Sequence, residues 1–575
     1  MKRIVLLGAL LVASSGNQVN AAFLQEAWQK AQEKAQEIKQ KVQSTIQDLK
    51  QRTEAQFAAV QQKSEKAFDD LKNKAPKVLA GVPRTILQDK SPYAKTVAMV
   101  RHSPDLSIQE KQMLQKRDPL IKQKIKQVLA LDVTTAPRIA LCCSGGGYRA
   151  MLATLGFTKA IRDIGVLDMT SYMVGLSGST WLFAPWVLRD VDLDAYERLL
   201  MPKIAVDLKK TQIRPDAISF KFLQKKLHGQ DLSLADVWGA LVANVLLGDL
   251  NKGGLFSHLS SLAPRVQEGK YPFPICTAVM PPSKFTAVYE WVEFNPFEIS
   301  CQTFESSIPA WSFGRRFENG QSVGGASEQS LGFWMGVWGS AFALNANDII
   351  RHAVRPAISQ ENERLDAILN KLVDKAEYEI TSKQLGKIRI SPAKLHNFLY
   401  KVPGSPLEEK ESMILVDAGI HMNLPFPPLL RAERNVDIIL VCDVSGDISN
   451  LMALRTMVDY AREKGLKFPP IDFDKLTKTV FQPDPTDPAK NAFKISVFQD
   501  HTNPNVPVVI YMPAITDNEV ISKDYPTLKM EYSQDEAGKL IGMAYDRVKK
   551  NEQKILKAIK TRIMKKGFSK AAAAA

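Results

Sequence analysis

The stretch Ile139-Ala140-Leu141-Cys142-Cys143-Ser144-Gly145-Gly146-Gly147-Tyr148-Arg149-Ala150-Met151 decides how the rest of the chain is read. An apolar run stops at three successive glycines, and a helix-compatible segment opens at once. A second junction of the same kind follows, where Tyr172-Met173-Val174-Gly175-Leu176 ends in Ser177-Gly178-Ser179. Each reads as strand, sharp turn and helix start. The first offers backbone N–H groups that no Cβ shields. The second offers a hydroxyl.

Outward from these turns, strands alternate with helices. Continuous apolar character predicts buried strands over 138–143, 172–176, 273–280, 285–294, 413–416, 436–442 and 506–512. Between them, Ser107-Ile108-Gln109-Glu110 reads as a capping box opening a basic helix, with Pro119 a candidate break. Helices are also predicted over 148–164, 237–247, 331–343 and 360–379. A last long one covers 545–566 and closes at Gly567. The fold class is α/β, a sheet with helical inserts. The insert over 190–271 follows the serine turn directly and reads either as a lid or as ordinary scaffold.

A net charge of +15 favours anionic partners, either nucleic acid or an anionic membrane surface. Zinc-finger spacing, RNP-type aromatics and a basic recognition helix are all missing from the sequence, so no nucleic-acid module is visible. Cys142, Cys143, Cys276, Cys301 and Cys442 form no C-x-x-C pair and read as small buried hydrophobes. Residues 1–21 read as a signal peptide: Lys2 and Arg3, an apolar run, then Val19-Asn20-Ala21 as a cleavage site. The expected location is therefore secreted or periplasmic, with an uncleaved anchor as the alternative.

Residues 22–75 read as an amphipathic helical extension. Trp28, Ala35, Val42 and Leu49 recur every seven residues, while Thr45 and Arg52 interrupt a strict coiled coil. It reads as a tether, an oligomerisation arm, a membrane-surface helix or a solvated spacer. A linker over 76–105, a catalytic domain over 106–568 and a tail over 569–575 complete the division.

Gly175-Leu176-Ser177-Gly178-Ser179 has the pattern of a nucleophile elbow. Alone it is weak, because serine and glycine crowd many turns. Gly145, Gly146 and Gly147 strengthen it, since acyl transfer needs N–H donors fixed where an oxyanion forms. The competing phosphate-loop reading lacks both the Lys-Ser/Thr of a P-loop and the ribose-binding acid of a dinucleotide site. Arg149, in the first helical turn, suits a phosphate-bearing substrate or is a surface charge. Asp417, in Val416-Asp417-Ala418-Gly419, ends a strand, where α/β sheets carry their sites. None of the seven histidines sits in a recognisable triad context, which favours Asp417 acting directly on Ser177. His421 keeps a Ser-Asp-His triad open as a minor reading.

Ser144-Gly145-Gly146-Gly147-Tyr148-Arg149-Ala150-Met151, Gly175-Leu176-Ser177-Gly178-Ser179-Thr180-Trp181, and Asp417-Ala418-Gly419 followed by Asn423-Leu424-Pro425-Phe426-Pro427 resemble the catalytic domain of group IV cytosolic phospholipase A2 and its lysophospholipase relatives, in the patatin-like superfamily. Trp291-Val292-Glu293-Phe294 and Gly336-Val337-Trp338-Gly339-Ser340-Ala341-Phe342 do so as well. The resemblance runs in order from about Leu106 to the last helix and leaves out the first 75 residues. It implies phospholipase A2 or lysophospholipase chemistry through a Ser177–Asp417 dyad and an acyl-serine. Gly146 and Gly147 would be oxyanion donors with Gly145 nearby, and Arg149 would bind the substrate phosphate. It also implies a three-layer α/β/α sheet, a lid and peripheral action on a phospholipid membrane, and no metal or other cofactor is expected in the chemistry. Better-known animal members carry a calcium-binding C2 domain ahead of this one. Here the Gln/Lys-rich extension stands in that place and no EF-hand pattern is present. The basic last helix, Lys549 to Lys566, then reads either as a face that meets anionic lipid or as a solvated helix face. The alternatives are a broader patatin-like serine esterase or acyltransferase, and an inactive membrane-binding or interaction protein.

Overall fold

Every residue of six strands is buried, so both faces of the sheet must be covered. In the computed structural model, residues 92–568 are described, apart chiefly from 207–224, 251–256, 342–377, 482–493 and 515–523. The readings of 1–21, 22–75 and 569–575, and nearly all of the 360–379 helix, lie outside the described residues. The last two residues of that helix, Tyr378 and Glu379, begin a strand, Tyr378–Ser382, in a separate hairpin.

The elements that position the site run in this order: β1 (Arg101–His102), α1 (Ile108–Leu129), β2 (Ile139–Cys143), α2 (Gly147–Asp163), β3 (Thr170–Leu176), α3 (Thr180–Arg189), α4 (Leu193–Ile204), α5 (Leu234–Leu247), β4 (Phe273–Met280), β5 (Glu290–Phe294), β6 (Glu298–Cys301), β7 (Ser306–Pro309), α6 (Leu331–Trp338), β8 (Ala393–His396), β9 (Ser412–Asp417), β10 (Ile438–Asp443), α7 (Met452–Glu463), β11 (Ser496–Phe498), β12 (Val508–Pro513), α8 (Gln534–Lys549) and α9 (Glu552–Lys565).

One twelve-stranded sheet has the order β1-β7-β6-β5-β4-β3-β2-β10-β12-β11, with β9 on β4 and β8 on β9. The block β4-β3-β2-β10-β12 is parallel. The flank from β4 to β1, the edge strand β11 and the β8–β9 pair are antiparallel. The sheet is therefore mixed, and its parallel centre, together with the adjoining antiparallel β5, is wholly buried. The chain leaves β2 towards β3 on one side and meets β10 on the other. The glycine loop after β2 thus sits at the switch point where α/β sheets open a crevice.

Several edges differ from the sequence reading, each for a local reason. Ser107 accepts the Glu110 N–H at 3.0 Å, but the Glu110 carboxylate does not return to the cap. It pairs with Arg434 instead, at 2.9 Å. Pro119 does not split α1. Its missing N–H would cost about 3 kcal/mol in a free helix. Arg117, two residues before, offsets this by donating to the carbonyls of Thr170, Leu167, Gly269 and Lys270. Helix α6 ends at Trp338, where Gly339 leaves helical geometry, and Ser340 just beyond accepts the Asp417 N–H at 2.9 Å. The expected last helix is two helices, broken where Asn551 leaves helical geometry and its side chain donates to the Arg547 carbonyl.

That break also spends much of the basic face. Lys549 pairs with Glu552, Lys550 with Asp546 and Lys566 with Asp437, while Lys554 donates to the Ile495 carbonyl.

Helices α5 and α6 touch through glycines. A Cβ at Gly239 would overlap the Gly332 carbonyl oxygen, and one at Gly336 would overlap that of Ala235. The closest-packed polar element is a buried cluster. Arg434 meets Glu110 and, at 2.8 Å, Glu293, while Arg431 lies 3.4 Å from Glu293. Burial pushes the Glu293 carboxyl up, but the two guanidinium charges outweigh it and hold it below its ordinary value. The cluster ties the start of α1 to β5 and to the turn before β10. Arg434→Ala would leave the buried Glu110 carboxylate without its cation and Glu293 with Arg431 alone, a loss of about 3–5 kcal/mol. Chemical denaturation should show that destabilisation, with Arg434→Lys intermediate; an unchanged midpoint would contradict it.

Candidate active site

Strand β3 delivers Ser177 at its carboxyl end with φ +50°. The left-handed region is costly for a residue with a Cβ, so neighbours must hold it there. The Thr180 hydroxyl donates to the Ser177 carbonyl, and Gly178 lies against the glycine loop so closely that a Cβ would overlap the Gly147 carbonyl oxygen. The Ser179 hydroxyl donates to the Ser144 carbonyl and lies 2.9 Å from Thr154 Oγ1 of α2. The two turns read separately in the sequence are therefore in backbone contact.

Asp417 reaches Ser177 through strand register. Along one edge of β4, β3 pairs as far as Leu176 opposite Thr277. Strand β9 then takes over the same edge antiparallel, with Asp417 opposite Ala278. Leu176 and Asp417 thus hold successive places on β4. Ser177 Oγ donates to Asp417 Oδ2 at 2.8 Å. The two residues are 3% and 1% exposed, so this bond is dry. Asp417 Oδ1 accepts the Gly419 N–H at 2.9 Å. Burial pushes the Asp417 carboxyl up to about 7, against the pull of the Gly419 N–H, the Ser177 hydroxyl and the Ala341 N–H. A carboxyl poised there can take a proton and return it near neutral pH.

The glycine loop heads α2, where the first N–H groups have no intrahelical acceptor and the helix dipole is positive. Gly146 has φ +142° and Gly147 φ +61°, conformations a Cβ would strain. The Gly145 N–H is already committed: it donates to Asn423 Oδ1 at 3.2 Å. Arg149 is buried in the first turn of α2. Its Nε donates to the Val444 carbonyl at 2.9 Å and Nη1 to the Tyr525 carbonyl at 2.8 Å. Its Nη2 lies beside Gly146, 2.5 Å from where a Cβ would stand.

His421 is not brought to the serine. Its Nδ1 accepts the Trp291 indole N–H at 3.0 Å, and its ring stacks on Tyr289 with centroids 4.8 Å apart. The Ser-Asp-His reading therefore falls for His421, since the Ser177 hydroxyl gives its hydrogen bond to Asp417. The sequence reading left Asn423 and Ser340 without roles although both lie in quoted motifs. The five cysteines are free and buried, as expected. Among the described residues no group of His, Cys, Asp or Glu is placed to hold a metal, and no helix is long and apolar enough to cross a membrane.

Residues 139–574 match the family model of the lysophospholipase catalytic domain. Cytosolic phospholipase A2 gamma of Homo sapiens is 27% identical, with 79% of this chain and 95% of that protein covered. Its Mus musculus counterpart is 24% identical, covering 78% and 90%. Cytosolic phospholipase A2 zeta of Homo sapiens is 25% identical, covering 72% and 53%. Among solved structures, human GIVD cytosolic phospholipase A2 superposes with a TM-score of 0.63 at 20% identity, covering 81% of this chain and 68% of that one. The last likeness speaks to the fold, and it agrees with the layered α/β architecture. These relatives are named as cytosolic enzymes, which overturns the secreted or periplasmic location expected from the first residues. With three quarters of its length matched, the chain belongs to the lysophospholipase catalytic-domain family and is a lipid acyl hydrolase.

Proposed function

We propose that the chain hydrolyses fatty acyl esters of glycerophospholipids, as a phospholipase A2 and lysophospholipase, with Ser177 as nucleophile and Asp417 as its base. The observation that carries this reading is the dry 2.8 Å bond from Ser177 Oγ to a carboxylate poised near neutrality. Asp417 Oδ2 accepts the hydroxyl proton as Oγ attacks the ester carbonyl carbon. The oxyanion is held by the N–H groups of Gly146 and Gly147 at the positive end of α2. The intermediate collapses, the glycerol oxygen leaves with the proton from Asp417, and the fatty acyl group stays on Ser177. Water then gives its proton to Asp417 and attacks the acyl-serine. Free fatty acid leaves as the proton returns to Oγ.

Gly145 serves this loop as its anchor, since its own N–H is occupied. Arg149 keeps a permanent positive charge beside Gly146 and suits the substrate phosphate. Action at a phospholipid surface follows from the substrate. With Lys549, Lys550, Lys554 and Lys566 engaged within the fold, Lys557, Lys560 and Lys565 are the cations of α9 left for anionic lipid.

Ser177→Ala should abolish fatty-acid release and labelling by a fluorophosphonate, with a loss of about ten-thousand-fold or more. Asp417→Asn should cost a similar factor while keeping the fold. Appreciable turnover in either variant would defeat the dyad. The pH dependence has a definite sign. Asp417 must be ionised to accept the proton and its carboxyl lies at about 7, so kcat/KM should fall roughly tenfold per pH unit below that value and level off above it. A flat profile from pH 5 to 8 would show that Asp417 is not the base. Hydrolysis in EDTA should match hydrolysis without it, because both proton transfers are made by side chains; loss on chelation would place a metal in the reaction.

A further inference from the structure

The Asn423 side chain holds three hydrogen bonds, and each goes to the loop that would stabilise the oxyanion or to its support. Oδ1 accepts the Gly145 N–H at 3.2 Å, Nδ2 donates to the Gly145 carbonyl at 3.1 Å, and Nδ2 also donates to Ser445 Oγ at 2.8 Å. Ser445 fixes which way the amide faces. Its hydroxyl proton is given to Asp443 Oδ1 at 2.6 Å, so its oxygen can only accept from Asn423. Asp443 in turn is buried at the end of β10 and receives the Ser445 N–H at 2.9 Å and the Tyr511 hydroxyl at 2.8 Å. The chain Tyr511–Asp443–Ser445–Asn423 thus runs from the sheet to the glycine loop.

The consequence follows from peptide geometry. In a trans peptide the C=O and the next N–H point in opposite directions. Asn423 draws the Gly145 carbonyl to itself, so the Gly146 N–H of that same peptide is turned to the opposite side. The peptide before it is fixed at both ends, its Ser144 carbonyl by the Ser179 hydroxyl and its Gly145 N–H by Asn423. The approach is close: a Cβ at Gly145 would stand 2.7 Å from Asn423 Oδ1 and 2.8 Å from Ser177 Cβ, so only glycine fits there.

We propose that Asn423, oriented by Ser445 and Asp443, is a positioning residue for the oxyanion donor of Gly146. This rests on the Ser177–Asp417 reading above. Asn423 does not reach the reacting atoms; it acts by holding the peptide plane. Donors of this kind contribute to the transition state more than to substrate binding, so the effect belongs in kcat.

The test compares full-length wild type, Asn423→Ala, Asn423→Asp, Ser445→Ala and Ser177→Ala on a micellar lysophospholipid. Turnover is expressed per active site titrated with a fluorophosphonate, except for Ser177→Ala, which the probe cannot label and whose turnover is expressed per mole of folded protein. Asn423→Ala should lower kcat per site about a hundred-fold, with KM within about threefold of wild type. Asn423→Asp should be worse than alanine. It keeps an acceptor for the Gly145 N–H but sets an oxygen against the Gly145 carbonyl and a negative charge behind the anion-binding loop. Ser445→Ala should lower kcat about three- to tenfold and remains informative if Asn423 variants fold poorly. A general loosening of the fold would reduce the number of titrated sites and would not rank aspartate below alanine. Wild-type kcat per site in Asn423→Ala, or in Ser445→Ala where the former does not fold, would overturn the proposal, as would a loss confined to KM. Activity in Ser177→Ala would overturn the dyad reading itself, and this inference with it.

Discussion

One edge of β4 is shared end to end by two strands, and the site depends on that sharing. A strand edge has a fixed repeat, so whatever pairs next to Leu176 must stand one residue further along. Asp417 takes that place from an antiparallel strand that arrives more than two hundred residues later in the chain. The 2.8 Å bond to Ser177 is therefore set by sheet register and not by a flexible loop. Register is also hard to shift, since a slip by one residue would turn Asp417 to the opposite face. Ser340, just beyond the end of helix α6, reinforces it by accepting the Asp417 N–H.

The second constraint is backbone proximity. The elbow at Ser177 and the loop after β2 touch at Gly178 and Gly147, where no side chain fits. The glycine loop that opens α2 and the turn that leads into α3 are consequently held against each other, with the positive end of the α2 dipole at the contact. Such a place favours developing negative charge before any substrate arrives. Around it, hydroxyls do the bracing: Thr154, Ser179, Thr180 and Ser144 each bond a neighbouring turn. Short side chains suit the task because they fix turns without filling the crevice.

Much of this was legible in the sequence, for a physical reason. A buried parallel strand followed by glycines has few other uses, so the two junctions at Cys143 and Leu176 announced both the fold class and the place to look. Asp417 was legible through its strand end, but not its antiparallel approach, which depends on a pairing across distant segments. The capping-box reading at Glu110 failed because Arg434 competes for the same carboxylate, and a local pattern carries no trace of a partner 324 residues away. Pro119 failed as a break for a similar reason: tertiary anchoring through Arg117 outweighs a local preference. Asn423 was passed over because an amide in a loop gives no signal until the fold brings it to Gly145.

Two buried carboxylates of similar exposure show how the fold separates support from chemistry. Glu293 is surrounded by Arg431 and Arg434, and those charges hold its carboxyl below the ordinary value despite burial. Asp417 is as deeply buried but has only dipoles for partners, the Gly419 and Ala341 N–H groups and the Ser177 hydroxyl, and its carboxyl rises to about 7. Dipoles cannot repay the loss of water around a full charge as an arginine can. The first carboxylate is thereby locked as an anion and serves only to join elements. The second is left close to the point where charged and neutral forms have equal free energy. A cation placed beside Asp417 would hold its carboxyl down as the arginines hold Glu293; Arg149, beside the glycine loop, is instead tied to the Val444 and Tyr525 carbonyls.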